Sequence, residues 1–156
     1  MPSLLFVASV LALQSQQLTA TELSLGASAA MARRTFTGAE LGVSHRPSGD
    51  SRIALALAGG TIAARPATRA QLTLQLLVNP AARSGTALYA GVGGAFTARR
   101  GSPGQGFLAV LLGIESAPGR REGWYVELGL AGGVRAAAGW RKRWFPTWWA
   151  NASSSR

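Results

Sequence analysis

Cysteine is absent from this sequence, histidine occurs once, and only 6 of 156 residues are acidic. The first absence excludes disulfides and thiolate metal sites. Charged residues of both signs make up 14% of the chain, whereas ordinary soluble domains carry about a quarter. So few charges leave a water-facing surface thinly covered. Beyond the N-terminus no apolar run approaches the ~20 residues of a membrane helix; the best is FLAVLLGI, 107–114. This speaks against a helical membrane protein. A G-x-S-x-G nucleophile elbow is missing too.

What is present is 47% hydrophobic residues, 20 glycines and a net charge of +10 that comes almost wholly from arginine. A basic excess fits nucleic acid, an anionic membrane surface or lipid phosphates, and its distribution decides between them. The length allows one domain. The opening MPSLLFVASVLALQSQQ holds an apolar run, Leu4 to Leu13, of signal-peptide length, with small and polar residues after it but no Lys or Arg before it. Residues 1–17 therefore read as a signal peptide, 18–146 as the folded barrel described next, and 147–156 as a polar tail.

Behind the leader, large and small residues alternate with period two in segment after segment. In AQLTLQLLV, Leu72, Leu74, Leu76 and Val78 oppose Gln71, Thr73 and Gln75. The same holds for 21–31, 37–44, 53–60, 87–97 and 106–115. In GWYVELGLAGGVRA, 123–136, Trp124, Val126, Leu128, Leu130 and Val134 oppose Tyr125, Glu127, Gly129 and Arg135. An eighth strand over Ala138 to Phe145 completes the set, although Arg141, Lys142 and Arg143 there fit lipid contact badly. Turn signals separate the segments: RPSGD at 46–50, RPAT at 65–68, NPAARSG at 79–85, RRGSPG at 99–104 and APGRRE at 117–122. Short strands with tight turns describe an up-and-down antiparallel sheet. A faint repeat runs through LALAGGTIAAR, AGVGGAFTARR and LGLAGGVRAAA, each with a small-residue pair in mid-strand.

Alternation does not by itself separate a soluble barrel from a membrane barrel, because both have one apolar face. The second face decides. Here it is Gly, Ala, Ser, Thr and Gln with a few Glu, whereas a soluble barrel must show water a charged face. Small side chains suit a narrow lumen and bulky aliphatics suit lipid. Closure is then compulsory, since an open edge in hydrocarbon leaves backbone groups unpaired. The fold class expected is an all-β, up-and-down antiparallel transmembrane β-barrel of about 8 strands. The alternative is a secreted soluble barrel that turns the apolar face inward around an apolar ligand.

On this pattern, over residues 19 to about 145, the chain resembles the small eight-stranded outer-membrane β-barrel proteins of Gram-negative bacteria. The resemblance implies a signal peptide, periplasmic chaperoning, insertion by the outer-membrane assembly machinery and a monomer with both termini in the periplasm; membrane lipids and lipopolysaccharide are the partners expected in that setting. The role expected is structural or one of interaction, in membrane integrity and lipopolysaccharide contact, without catalysis. Two departures stand out: the last aromatics are followed by a polar tail, and all connections are short.

Three groups of candidate residues follow. The small-residue parity gathers Glu40, Gln71, Thr73, Gln75, Tyr89, Glu115, Glu127 and Arg135 as a polar network in the lumen, with Arg46 and Arg52 toward one end; buried charges of this kind must pair. Arg33, Arg34, Arg65, Arg69, Arg99 and Arg100 gather at one rim if strands alternate direction, and guanidinium forks bind phosphate well. Phe96, Trp124, Tyr125, Trp144 and Phe145 form an aromatic girdle at the two membrane surfaces, and RKRWFPTWW resembles an interfacial anchor. That stretch is too short and isolated for a nucleic-acid patch. Ser44 and His45 invite comparison with barrel enzymes that deacylate lipid A. Adjacent strand residues point to opposite faces, however, so the pair cannot act as nucleophile and base. No catalytic residue, metal or cofactor is expected.

Overall fold

A computed structural model describes residues 18–151. Its eight strands are β1 (Ala20–Met31), β2 (Phe36–Ser48), β3 (Ser51–Ile62), β4 (Arg65–Leu77), β5 (Thr86–Arg99), β6 (Ser102–Ser116), β7 (Glu122–Leu130) and β8 (Val134–Trp144). A short helix, α1 (Thr147–Asn151), follows. Each strand pairs antiparallel with the next, and β1 pairs with β8, so the sheet closes in up-and-down order. The signal-peptide segment, 1–17, and residues 152–156 of the tail lie outside the described residues.

The two parities of every strand separate as the alternation predicts. Leu25, Leu41, Leu57, Leu72, Leu112 and Leu128 stand on the outside, with Leu25 64% and Leu112 67% exposed. Gln71, Thr73, Gln75, Glu115 and Glu127 on the alternate positions are buried. The interior is therefore polar and ionic, with only small apolar clusters such as Ala30, Phe36, Ala58 and Ala67. An interior of this kind runs against the soluble-barrel alternative, which needs the leucines inside around its ligand.

Why the walls can close so tightly is visible where the first and last strands meet. Gly26 of β1 is the register partner of Gly139 of β8. A Cβ added to Gly26 would lie 2.8 Å from the Gly139 Cα, and one added to Gly139 would lie 2.7 Å from the Gly26 Cα. The backbones approach at a distance only glycine permits.

Several turns differ from their sequence signals. The β3–β4 connection is Ala63-Ala64, both at positive φ (49° and 59°), which is the two-residue hairpin geometry that favours Asn-Gly. RPAT at 65–68 is already strand: Pro66 is the register partner of Thr61. Pro47 sits where the β2–β3 register shifts, and Pro103 lies on a part of β6 without a second neighbour, both places where a missing N–H costs no ladder bond. The segment 123–136 is not one strand. Gly132 and Gly133 take positive φ (74° and 145°) and make the β7–β8 turn, so Arg135 belongs to β8. The repeat breaks at the same point: its Gly-Gly pair lies within β3 and β5 but turns the chain here.

One asymmetry matters for the site. β6 pairs with β7 only from Val110 to Glu115, while its pairing with β5 continues to Ser102. The β5–β6 hairpin thus stands well above the β7–β8 turn, and the wall beside it is low.

Candidate functional site

The lumen is filled by a two-tier ionic network. In the tier toward the chain termini, Glu22 from β1 and Glu115 from β6 face Arg46, Arg52, Arg141 and Arg143, all buried. Glu22 Oε1 lies 2.5 Å from Arg46 Nε. Glu115 Oε2 accepts from Arg141 Nη1 at 2.5 Å and from Arg143 Nη2 at 2.7 Å. Arg52 Nη1 bridges both carboxylates at 3.1 Å, and its Nε donates to Gln75 Oε1 at 2.7 Å. Gln75 in turn donates to Thr73 Oγ1 at 3.0 Å. In the second tier Arg135 stands between Glu40 and Glu127, each at 2.7 Å, and Tyr89 donates to Glu127 at 2.8 Å. The Arg52 and Arg141 guanidiniums stack over the rings of Tyr89 and Tyr125, each at 4.5 Å. These pairings hold charges that would be prohibitive alone, and they occupy the axis along which a solute would have to pass.

The eight residues expected in the network all face the lumen, and the two tiers join seven of them; Gln71 is buried beside them but its Oε1 has no hydrogen-bond partner. Three participants, Glu22, Arg141 and Arg143, were neither among them nor among the end arginines Arg46 and Arg52. Glu22 shares its parity with Ser24, Gly26 and Ser28, and Arg141 and Arg143 share theirs with Arg135 and Gly139, so the period-two signal was available for each. Arg69, expected at the rim, stands instead where β4 alternation places it, with Gln71 and Thr73, and is buried, donating to Thr97 Oγ1 at 3.0 Å and to the Ala131 carbonyl at 2.6 Å. Tyr125, expected in the girdle, is likewise turned inward and is 2% exposed. Trp124, Trp144 and Phe96 do face outward, Phe145 is half-buried, and Trp140, register partner of Trp124, joins them outside. Ser44 and His45 diverge as strand geometry demands. Ser44 donates to Glu22 in the lumen at 3.1 Å, while His45 lies outside against Thr21 at 3.3 Å.

The two mouths differ. At the end that carries the termini, loops and helix fold over the opening. Arg46 Nη1 reaches the carbonyls of Pro80 (3.3 Å) and Pro118 (3.4 Å). Ala117 N–H donates to the Gly85 carbonyl and Gly119 N–H to the Ala82 carbonyl, tying the two loops together. Helix α1 locks them: Trp149 Nε1 donates to the Gly119 carbonyl at 3.0 Å, and the Arg83 guanidinium lies 4.2 Å over the Trp149 ring. The far mouth is open. A cavity of about 470 Å³ sits there, bordered by Arg33, Arg34, Arg69 and Arg99 and walled by Phe36, Ile62 and Phe107. Arg33, Arg34, Arg65 and Arg100 are exposed on this rim and Arg99 is half-buried, with Arg65 and Arg100 outside the cavity lining.

No protein-family model matches the sequence, and no curated protein matches it. Solved structures do match in fold. The N-terminal β-barrel domain of Pseudomonas aeruginosa OprF superposes with a TM-score of 0.63 at 12% identity, covering 83% of this chain and 100% of that one. The outer membrane protein OprG from Pseudomonas aeruginosa gives 0.63 at 10% identity, covering 83% and 98%. Neisserial surface protein A gives 0.55 at 13% identity, covering 80% and 96%. The fold is that of small outer-membrane barrels.

Proposed function

We propose that this chain is a monomeric outer-membrane barrel with a structural or interaction role, inserted by the outer-membrane assembly machinery and performing no catalysis. The observation that carries this reading is the pairing of an exposed leucine and valine belt with a charged, closed interior. Exposed apolar surface on that scale is untenable in water but is the surface lipid requires. Likeness in fold to outer-membrane proteins supports the same setting. With the termini in the periplasm, the open mouth faces outward, and Arg33, Arg34, Arg65 and Arg100 stand where lipopolysaccharide presents its phosphates. Trp124, Trp140 and Trp144 then mark the opposite interface.

Two measurements test this. Cell fractionation combined with heat-modifiable gel mobility in detergent should place a folded barrel in the outer membrane; a monodisperse protein in plain buffer would refute the membrane setting. Arg65→Gln with Arg100→Gln should weaken lipopolysaccharide binding at low salt, and unchanged binding there would remove the phosphate contact.

A further inference from the structure

We infer that the open mouth is a binding site for a small organic anion, one phosphate or carboxylate attached to a compact apolar body, with Arg69 as its buried anchor. Arg69 carries the inference. It is 5% exposed, yet among the described residues it takes part in no ion pair of the lumen. Its hydrogen bonds go to a neutral hydroxyl and a backbone carbonyl, and its Nε has no partner. Glu40, the carboxylate whose field reaches it, is bonded on both oxygens to Arg135. A buried guanidinium without a counter-charge is costly, and the cavity it borders is where one can be supplied.

The surroundings agree with that role. Arg33, Arg34 and Arg99 border the same space, and no carboxylate lines it. Such a cluster concentrates anions and repels cations. Arg33 and Arg34 come from the β1–β2 turn and Arg99 from the end of β5, so the charges surround the opening. Ile62 and Phe107, both half-buried, line the same space with the buried Phe36, giving the apolar portion of a ligand surface to cover. Gly132 makes this wall: the Phe107 ring lies where a Cβ would stand, 2.7 Å from the ring Cγ. The volume of about 470 Å³ lies in the range of small-ligand pockets, roughly 300–1,000 Å³. The occupant chemistry is common to a free solute and to a lipid phosphate headgroup.

The test is titration of the folded full chain in zwitterionic micelles, followed by amide NMR and calorimetry, with phenyl phosphate as probe. Saturable one-to-one binding is expected, with shifts at Arg69, Thr97 and Gly132. Inorganic phosphate should bind more weakly because it leaves the Phe wall uncovered, and benzylamine should not bind. Arg69→Gln should weaken phenyl phosphate by about tenfold or more, the scale of one lost charged hydrogen bond, while Arg121→Gln, exposed on the loop between β6 and β7 at the opposite mouth, leaves it unchanged. Because Arg69 also braces Ala131, Arg99→Gln serves as a second variant and should weaken binding several-fold in a protein whose gel mobility is normal. Equal binding of benzylamine, or unaltered binding in either folded variant, would overturn the site. Competition by lipopolysaccharide assigns the source: displacement identifies a lipid phosphate, and no displacement a free anion. Both outcomes uphold the site. Rim contact through Arg65 and Arg100 can fail or succeed without affecting this result.

Discussion

Glu40 and Arg135 are separated by 95 positions in sequence and meet across the lumen, where one guanidinium nitrogen lies 2.7 and 2.8 Å from the two carboxylate oxygens. Strand β2 supplies the first and β8 the second, so the contact exists only when the sheet has closed.

Removing the carboxylate tests its weight. Glu40→Gln leaves a buried arginine with Glu127 alone, and breaking a buried pair costs about 3–5 kcal/mol. Urea unfolding in micelles, read by gel mobility, should show a loss of that size. Glu122→Gln, at an exposed position, should change stability by less than about 0.5 kcal/mol.

The β3–β4 turn can be improved. Two alanines hold left-handed backbone there, at a strain of about 1–2 kcal/mol each, and glycine relieves it at an entropic cost of about 0.5–1 kcal/mol. Ala63→Asn with Ala64→Gly should raise unfolding stability by about 1 kcal/mol. A fall in the urea midpoint would contradict the observed turn geometry.

Depth along the outer wall predicts a gradient. Leu72→Arg, near the middle of β4, should destabilise the barrel in phospholipid vesicles by about 2–4 kcal/mol, and Val78→Arg, just past the strand end, by about 0–1 kcal/mol. Equal and small effects at both sites would mean that the belt faces water.

The cap over the termini-bearing mouth is held by Trp149. Trp149→Ala removes a hydrogen bond and a cation–π contact, together about 1–2 kcal/mol. Amide exchange at Ala117 and Gly119 should quicken while that of Leu72 and Leu112 stays slow. Acceleration everywhere, or nowhere, would refute a local cap.

Much of this architecture was legible in the sequence because strand alternation is a strict rule in a closed sheet. It set Leu72 outside and Thr73 inside before any contact was known. The same rule, applied without exception, would have found Glu22, Arg141 and Arg143. Two residues mask it: the aromatic character of Tyr125 suggests an interface, and the arginines around Arg69 suggest a rim. Turns were harder. Gly-Gly is strand at 59–60 and turn at 132–133, and Ala63-Ala64 carries no turn signal at all, because hairpin register and barrel stagger decide those positions and neither is local. The capping helix was illegible for a similar reason: Trp149 finds Gly119 and Arg83 only after two loops have been brought beside it.

The overhang of the β5–β6 hairpin gives the molecule a front and a back. A neighbour sliding in from the β7–β8 side meets a low sill with guanidiniums just behind it. One arriving from the β5 side meets a tall paired strand. Encounters around the circumference are therefore inequivalent, and whatever assembles beside this barrel does so with a preferred heading.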